Sequence, residues 1–423
     1  MSRTPPPPPG TPGALQRRLG VTDAVTIGLG SMIGAGIFAS LAPAARAAGS
    51  GLLVGLACAA VVAYCNAKSS AGLAARYPAS GGTYVYARER LGEFWGYLAG
   101  WAFVVGKTAS CAAMALTVGT YVWPDQAHAV AAAAVVALTA VNYVGVHRSA
   151  LLTRAIVTVV LAVLAAVVVT VLTSGATQTA RLDVGSDATV VGVLQAAGLL
   201  FFAFAGYARI ATLGEEVRDP AHTIPRAIPV ALGITLAVYA VVAVAVLLVL
   251  GPDRLATTAA PLTEAVHAAG ADGLTPVVRV GAAVAALGSL LALILGVSRT
   301  TLAMARDHHL PHHLAAVHPK FKSPHRAEIA VGLVVAAVAA TADLRAAIGF
   351  SSFGVLVYYA LANASAWTLT PAEGRPARIV PAVGLTGCLA LAFALPPTSV
   401  ATGAAVLAVG AALYAVRRRT PRG

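Results

Sequence analysis

The sequence predicts an all-α polytopic membrane protein with about twelve transmembrane helices, and three observations predict it. Of 423 residues, 58% are hydrophobic and only 11% are charged, where a soluble domain averages about 25% charged. Apolar runs of about 18 residues or more recur along the chain, and each could cross a hydrocarbon core about 30 Å thick. Basic residues punctuate those runs instead of forming one patch. A mean hydropathy of +0.80 leaves no room for a large soluble domain.

Residues 1–20 are rich in Pro and Gly, with Pro5 to Pro9, Arg17 and Arg18, and read as a disordered cytoplasmic tail. The first apolar run follows that proline tract and leads into further runs, unlike a cleavable signal peptide. Apolar segments fall at about 22–45, 51–72, 94–122, 127–146, 151–173, 191–215, 227–250, 276–305, 327–342, 346–369, 378–395 and 399–416. An even number places both termini on one side. Of the 29 Lys and Arg residues, all but Arg46, Lys107, Arg181, Arg209, Arg254, Arg279 and Arg345 then fall on the side of the termini. The positive-inside rule assigns that side to the cytoplasm, in a multi-pass protein of the plasma (inner) membrane. Residues 417–423 form a basic cytoplasmic tail. The net charge of +13 is thus a topology signal, and a nucleic-acid partner is not expected. Cys58, Cys65, Cys111 and Cys388 sit inside apolar runs, fit no metal or disulfide spacing, and read as small buried residues.

Two predicted inner loops are amphipathic. Residues 77–94 carry Arg88, Glu89, Arg90 and Glu93 among aromatics. Residues 306–326 carry His308, His309, His312 and His313, then Lys320 and Lys322. This second stretch reads as a solvated loop helix in preference to a metal site, because Pro311 interrupts it and Asp307 is its one nearby carboxylate. Asp23 is placed to cap the first span. Arg279 and Arg345, near outer span ends, are placed to snorkel. Glu215 and Glu216 with Arg218 and Arg226 read as an interfacial salt-bridge cluster.

The chemistry concentrates in the first span, at Gly28-Leu29-Gly30-Ser31-Met32-Ile33-Gly34-Ala35-Gly36-Ile37-Phe38. Each glycine costs a helix about 1 kcal/mol relative to Ala. Close helix packing would place glycines on one face, whereas these spread over more than one, so an unwound stretch is expected. Backbone groups freed at membrane depth survive only where they line a cavity or meet a ligand. Ala35 and Gly36, where the helix resumes, would offer N–H donors to a carboxylate. Carbonyls near Met32 would accept from an ammonium. Together these suit a zwitterionic amino acid. The sixth span has a weaker candidate break at Phe201-Phe202-Ala203-Phe204-Ala205-Gly206-Tyr207. Paired interrupted segments in corresponding positions point to a substrate site in transporters built from repeats.

These residues resemble the amino acid–polyamine–organocation superfamily of permeases. The resemblance rests on the first-span motif, on Pro78-Ala79-Ser80-Gly81-Gly82-Thr83-Tyr84-Val85-Tyr86, and on residues 201–206 leading to Glu215-Glu216-Val217-Arg218-Asp219-Pro220 and Ile224-Pro225-Arg226-Ala227-Ile228. It extends to Ser298-Arg299, Met304-Ala305-Arg306-Asp307, Leu310-Pro311 and His318-Pro319, with a weaker echo at 358–367. The resemblance implies a transporter core at 21–370 with broken helices 1 and 6. That core would hold two inverted five-helix repeats, about 21–175 and 190–370, with two C-terminal spans over 371–416. It implies secondary transport of amino acids or related amines by alternating access, through proton-coupled symport or exchange. A sensor or channel on the same fold is the alternative. By position, the substrate would meet Met32, Ile33, Gly34, Ala35, Gly36, Phe202, Ala205 and Gly206. Phe202 and Phe204 would shape its side-chain pocket, and Tyr97 would contribute to an inner gate.

The chain departs from the pattern in its fifth span. Several proton-coupled relatives carry a lysine there, and Val160 falls about where it would be. Two other cations lie deep in apolar runs, Lys107 and Arg209. Intramembrane charge is functional by default, so either is a candidate for the missing fixed charge. A lysine can release its proton more readily than an arginine. No paired intramembrane carboxylates, two-histidine metal spacing or nucleophile motif suggests an enzyme. No phosphate-binding loop suggests ATP-driven transport, and no cofactor is expected.

Overall fold

A computed structural model of the chain describes residues 19–77, 81–144, 150–211, 217–321 and 323–419. The proline tract with Arg17 and Arg18, residues 78–80, Glu215 and Glu216, Lys322 and the last four residues lie outside this set. The described chain is helical, apart from an isolated parallel bridge that pairs Leu19 with Val217. Its helices are α1 Val21–Met32, α2 Ala35–Ala39, α3 Leu41–Ala48, α4 Leu52–Arg76, α5 Thr83–Leu91, α6 Glu93–Val122, α7 Ala127–Tyr143, α8 Ala150–Thr173 and α9 Val190–Phe204. They continue with α10 Ala208–Ala211, α11 Pro220–Thr257, α12 Pro261–Ala268, α13 Thr275–Arg306, α14 His325–Thr341, α15 Leu344–Trp367, α16 Ile379–Ala394 and α17 Pro397–Arg419.

Among the described residues, ten helical stretches are long and apolar enough to cross a membrane. Twelve were expected. The segments at 327–342 and 378–395 form α14 and α16, helices of 17 and 16 residues that fall short of that length. Burial sorts the rest. The most apolar window of α6 is 89% buried, against 17% for the window containing α7 and 22% for that of α17. Helix α6 is therefore the central post, packed mainly on α15 and α13.

Polar side chains tie the apolar helices together. Asn363 of α15 donates to Asn66 of α4 at 2.6 Å and to its own Tyr359 carbonyl at 2.9 Å, and it accepts from Ser69 at 2.7 Å. Cys388 of α16 completes the group, 3.2 Å from the Asn66 amide nitrogen. Cys388 is thus a hydrogen-bonding member of this cluster as well as a small buried residue. All four cysteines are free thiols.

The two amphipathic loops take different forms. The first folds as α5 and docks on α15, where the Thr83 N–H donates to the Tyr358 hydroxyl at 3.0 Å. The second was expected as a loop helix, and only His312–Ala315 forms a short 3-10 turn. The cause is local: His308 takes φ +58°, a left-handed conformation that stops α13. His309 then folds inward, with its Nδ1 2.9 Å from the Tyr84 hydroxyl, while the Arg88 guanidinium pairs with Asp307 at 2.7 Å. No cluster of three or more His, Cys, Asp or Glu suited to a metal occurs among the described residues. Asp23 caps α1 as expected, from the third helical position, as the carboxylate of a capping box on Gly20. Its carboxylate accepts from the Gly20 N–H at 3.1 Å and pairs with Arg154 at 2.5 Å.

Two measurements follow. Asn363→Ala removes the shared partner of Asn66 and Ser69, and thermal unfolding in detergent is expected to show a loss of about 1–2 kcal/mol. Burial holds the His309 pKa below its ordinary value. The unfolded chain therefore binds the proton more readily, and the stability this residue contributes is present above its ordinary pKa and lost as pH falls through the lowered one. The unfolding temperature of the wild type is expected to drop more between pH 7 and 5 than that of His309→Gln.

Candidate functional site

Two helix breaks lie against each other at the centre of the molecule. The first is short. The Ile33 N–H still bonds to the Leu29 carbonyl at 2.7 Å, and Ile33 itself takes φ −78° and ψ 63°. That is an inverse γ-turn, closed by the Gly34 N–H on the Met32 carbonyl at 2.8 Å. Gly34 is extended, and helix resumes as α2 at Ala35. The break thus spans Ile33 and Gly34 alone. The second break follows α9, where Ala205–Tyr207 narrow to a 3-10 turn before α10.

The glycines are there because the two breaks touch. A Cβ on Gly36 would lie 2.6 Å from the Ala203 Cα, and one on Gly206 would lie 2.2 Å from the Ser31 carbonyl oxygen. A Cβ on Gly34 would lie 2.8 Å from the Ser289 Cβ of α13. The first span does unwind, at Ile33 and Gly34, as its glycine density led us to expect, and Gly34 and Gly36 are also points of close approach.

Each break frees carbonyls, and the protein supplies donors to them. The Tyr239 hydroxyl of α11 sits 2.5 Å from the Met32 carbonyl and 3.1 Å from that of Ala203. The Lys107 ammonium of α6 donates to the Ala205 carbonyl at 3.2 Å, and the Tyr359 hydroxyl of α15 approaches the same oxygen at 3.4 Å. Lys107 is only 5% exposed. It occupies the C-terminal end of α9, where the helix dipole favours a cation.

A cavity of about 130 Å³ opens beside the breaks. Of the predicted site residues, Phe202, Ala205, Gly206, Lys107 and Arg209 line it, joined by Ser31. Met32, Ile33, Gly34, Ala35, Gly36 and Phe204 are buried beside it without lining it. Met114 lines the cavity and packs against the buried cluster that contains Ala35, Val118 and Ala286. The Phe204 ring instead lies 5.2 Å from that of Tyr239. Tyr97 belongs to a separate aromatic cluster, with His309 at 5.4 Å and Tyr414 at 5.0 Å. Within α2, the Phe38 carbonyl accepts from the Tyr121 hydroxyl at 2.9 Å and the two rings meet edge to face. Val160, in the place of the familiar lysine, is fully buried in the apolar core.

Several cavity residues were missed in the sequence. Phe103, Ser110 and Met114 of α6 and Ser289, Arg299 and Thr300 of α13 all line the cavity. Their signal was present: Phe103, Lys107, Ser110 and Met114 recur every three or four residues, on one helical face. Lys107, recognised as a buried cation, marks that face.

The comparisons with known proteins agree with this architecture. A family model described as "Amino acid permease" matches residues 19–416. A Mycobacterium tuberculosis protein named as an uncharacterized transporter is 78% identical over 407 residues, covering 96% of this chain and 92% of its own. An Arabidopsis thaliana cationic amino acid transporter of the chloroplast is 28% identical, covering 83% of this chain and 65% of its own. A methylthioribose transporter of Bacillus subtilis is 27% identical, covering 95% of this chain and 93% of its own. With a match over nearly its whole length, and with apolar helices broken twice around a central cavity, the chain belongs to the amino acid permease family.

Proposed function

We propose that this membrane transporter moves amino acids or related amines across the plasma membrane by alternating access, as a proton-coupled symporter or an exchanger. The observation that carries the reading is the contact between the two broken helices, Gly36 on Ala203 and Gly206 on Ser31, with a cavity directly beside it. Spans one and six are corresponding positions in two inverted five-helix repeats, about 21–175 and 190–370. Broken helices at such positions present backbone groups to a substrate at mid-membrane. With both termini in the cytoplasm, Ser31, Gly206 and Arg209 lie on the cytoplasmic side of the breaks. The cavity is then an inward-facing site, and the Phe38–Tyr121 contact is the closed outer side.

In this reading the first N–H groups of α2, at Ala35 and Gly36, receive the substrate carboxylate, since the start of a helix leaves them without intrahelical acceptors. Met114 lines the cavity and packs against the cluster that holds Ala35, so in this reading its side chain moves as substrate reaches α2. The carbonyls of Met32 and Ala205 already accept from Tyr239 and Lys107. Each has a second donor as well, the Gly34 N–H on Met32 and the Tyr359 hydroxyl on Ala205, so the substrate ammonium displaces one of these donors or uses the carbonyl of Phe202. Lys107 or Arg209 supplies the charge that the fifth span lacks, Lys107 as the better proton-coupling candidate and Arg209 as the better fixed charge or anion contact. Lys107 holds the end of α9, so its loss alters the geometry of the break as well as the charge.

Uptake into proteoliposomes is expected to saturate and to be stimulated by substrate on the opposite side, whereas a channel would show neither. Lys107→Ala is expected to lower uptake at least tenfold and to change its pH profile; unchanged uptake and pH dependence in both Lys107→Ala and Arg209→Ala would sink the assigned roles. Met114→Ala enlarges the cavity. It is expected to raise kcat/KM for substrates with longer side chains about tenfold relative to short ones, as pocket changes of this size do.

A further inference from the structure

Resting on the transport reading, a buried acid outside the cavity shows where a proton can be held. Glu328 stands in the first turn of α14 and is fully buried. Among the described residues, neither of its carboxyl oxygens has a hydrogen-bond partner. The Thr139 hydroxyl of α7 is buried and unpartnered in the same way. It lies against the same face of α14, since a Cβ on Gly332, one turn beyond Glu328, would lie 2.5 Å from that oxygen. An ionised carboxylate kept from water without hydrogen bonds is costly, and an apolar side chain of similar size would pack there without that cost. An acid kept inside a membrane bundle under those conditions is a functional group by default.

Helices α7, α6 and α13 and the 3-10 turn at His312–Ala315 pack against α14. From α13, Arg299 acts on Glu328 through its charge, and Arg299 also lines the cavity. On α7, His128 meets the Ala339 carbonyl at 2.9 Å, at the far end of α14, and the Tyr143 ring lies 6.1 Å from that of His325. On α6, Lys107 is held on the Ala205 carbonyl, and Cys111 sits in the apolar cluster with Val331 and Val335. In the 3-10 turn, the His313 carbonyl lies 3.5 Å from the Arg326 guanidinium, and the His312 ring stacks on that of His308. We propose that Glu328 binds and releases a proton that is carried together with the substrate. The proton comes from water on the side to which the site is open and returns to water on the other side, so no further reactant is needed. Its arrival removes the negative charge facing Arg299, so the electrostatic pull on a cavity-lining side chain changes with the proton. This adds a proton site behind the cavity wall to the charge that Lys107 or Arg209 supplies.

The test uses the full chain in proteoliposomes, with labelled L-leucine, L-glutamate and L-arginine as probes. With the outside more acidic by one pH unit, one proton per substrate drives accumulation of up to about tenfold. The wild type is expected to approach that value with whichever probe it transports. Glu328→Gln fixes the neutral form, and it is expected to abolish the gradient-driven accumulation while keeping exchange of labelled for unlabelled probe. Accumulation by Glu328→Gln equal to that of the wild type would overturn the inference. A second measurement needs no variant: dicyclohexylcarbodiimide, which modifies protonated carboxyl groups in apolar surroundings, is expected to label Glu328 of the wild type more at pH 6 than at pH 8. Absence of label on Glu328 at pH 6 would overturn the inference whether or not the variant folds. Exchange by the wild type with no gradient-driven accumulation would overturn the proton site and leave the transporter standing. No saturable flux of any of the three probes would overturn the transport reading and this inference with it.

Discussion

The structure depends on satisfying backbone carbonyls where two helices stop inside an apolar core. Helix is stable at membrane depth because each N–H and C=O finds its partner within the segment. Breaking α1 at Ile33 and ending α9 at Phe204 removes those partners. Tyr239 and Lys107 replace them, one on the Met32 carbonyl and the other on that of Ala205. Each donor comes from a neighbouring helix, so α11 and α6 are held in register with the breaks. The arrangement is local in chemistry and long-range in sequence.

The breaks then set the shape of the site. Because Gly36 meets Ala203 and Gly206 meets Ser31 with no side chain between, the two backbones cross too closely to leave space at the crossing itself. The open volume lies to one side, bounded by the faces of α6 and α13. Within α2, Phe38 meets Tyr121 edge to face. Lys107 connects the two requirements, since the ammonium that satisfies the α9 terminus also lines the cavity.

Much of the fold was legible because the bilayer imposes it. Long apolar runs and sparse charge require helices. Segments 327–342 and 378–395 do form helices, α14 and α16, within a few residues of the expected bounds. His308 ended α13 by a left-handed backbone angle that no histidine-rich pattern announces. The glycines of the first span were read as unwinding, and the span does break at Ile33 and Gly34; that Gly34 and Gly36 are also contact points was hidden, because residues 289 and 203 approach them only in three dimensions.

The sequence by itself determined the membrane class, the helical content, the two weak points in spans one and six, and the presence of a buried cation at Lys107. These follow from composition, periodicity and the cost of burying charge, which are properties of the chain read one segment at a time. Only the tertiary structure decided that the weak points touch, that Lys107 rests on Ala205, and that the cavity gathers Lys107, Arg209 and Arg299. Those facts depend on which faces of α1, α6, α9, α10 and α13 turn toward one another. Packing between distant segments sets that choice, and in an apolar chain where nearly every face is a candidate for burial, no local pattern specifies it.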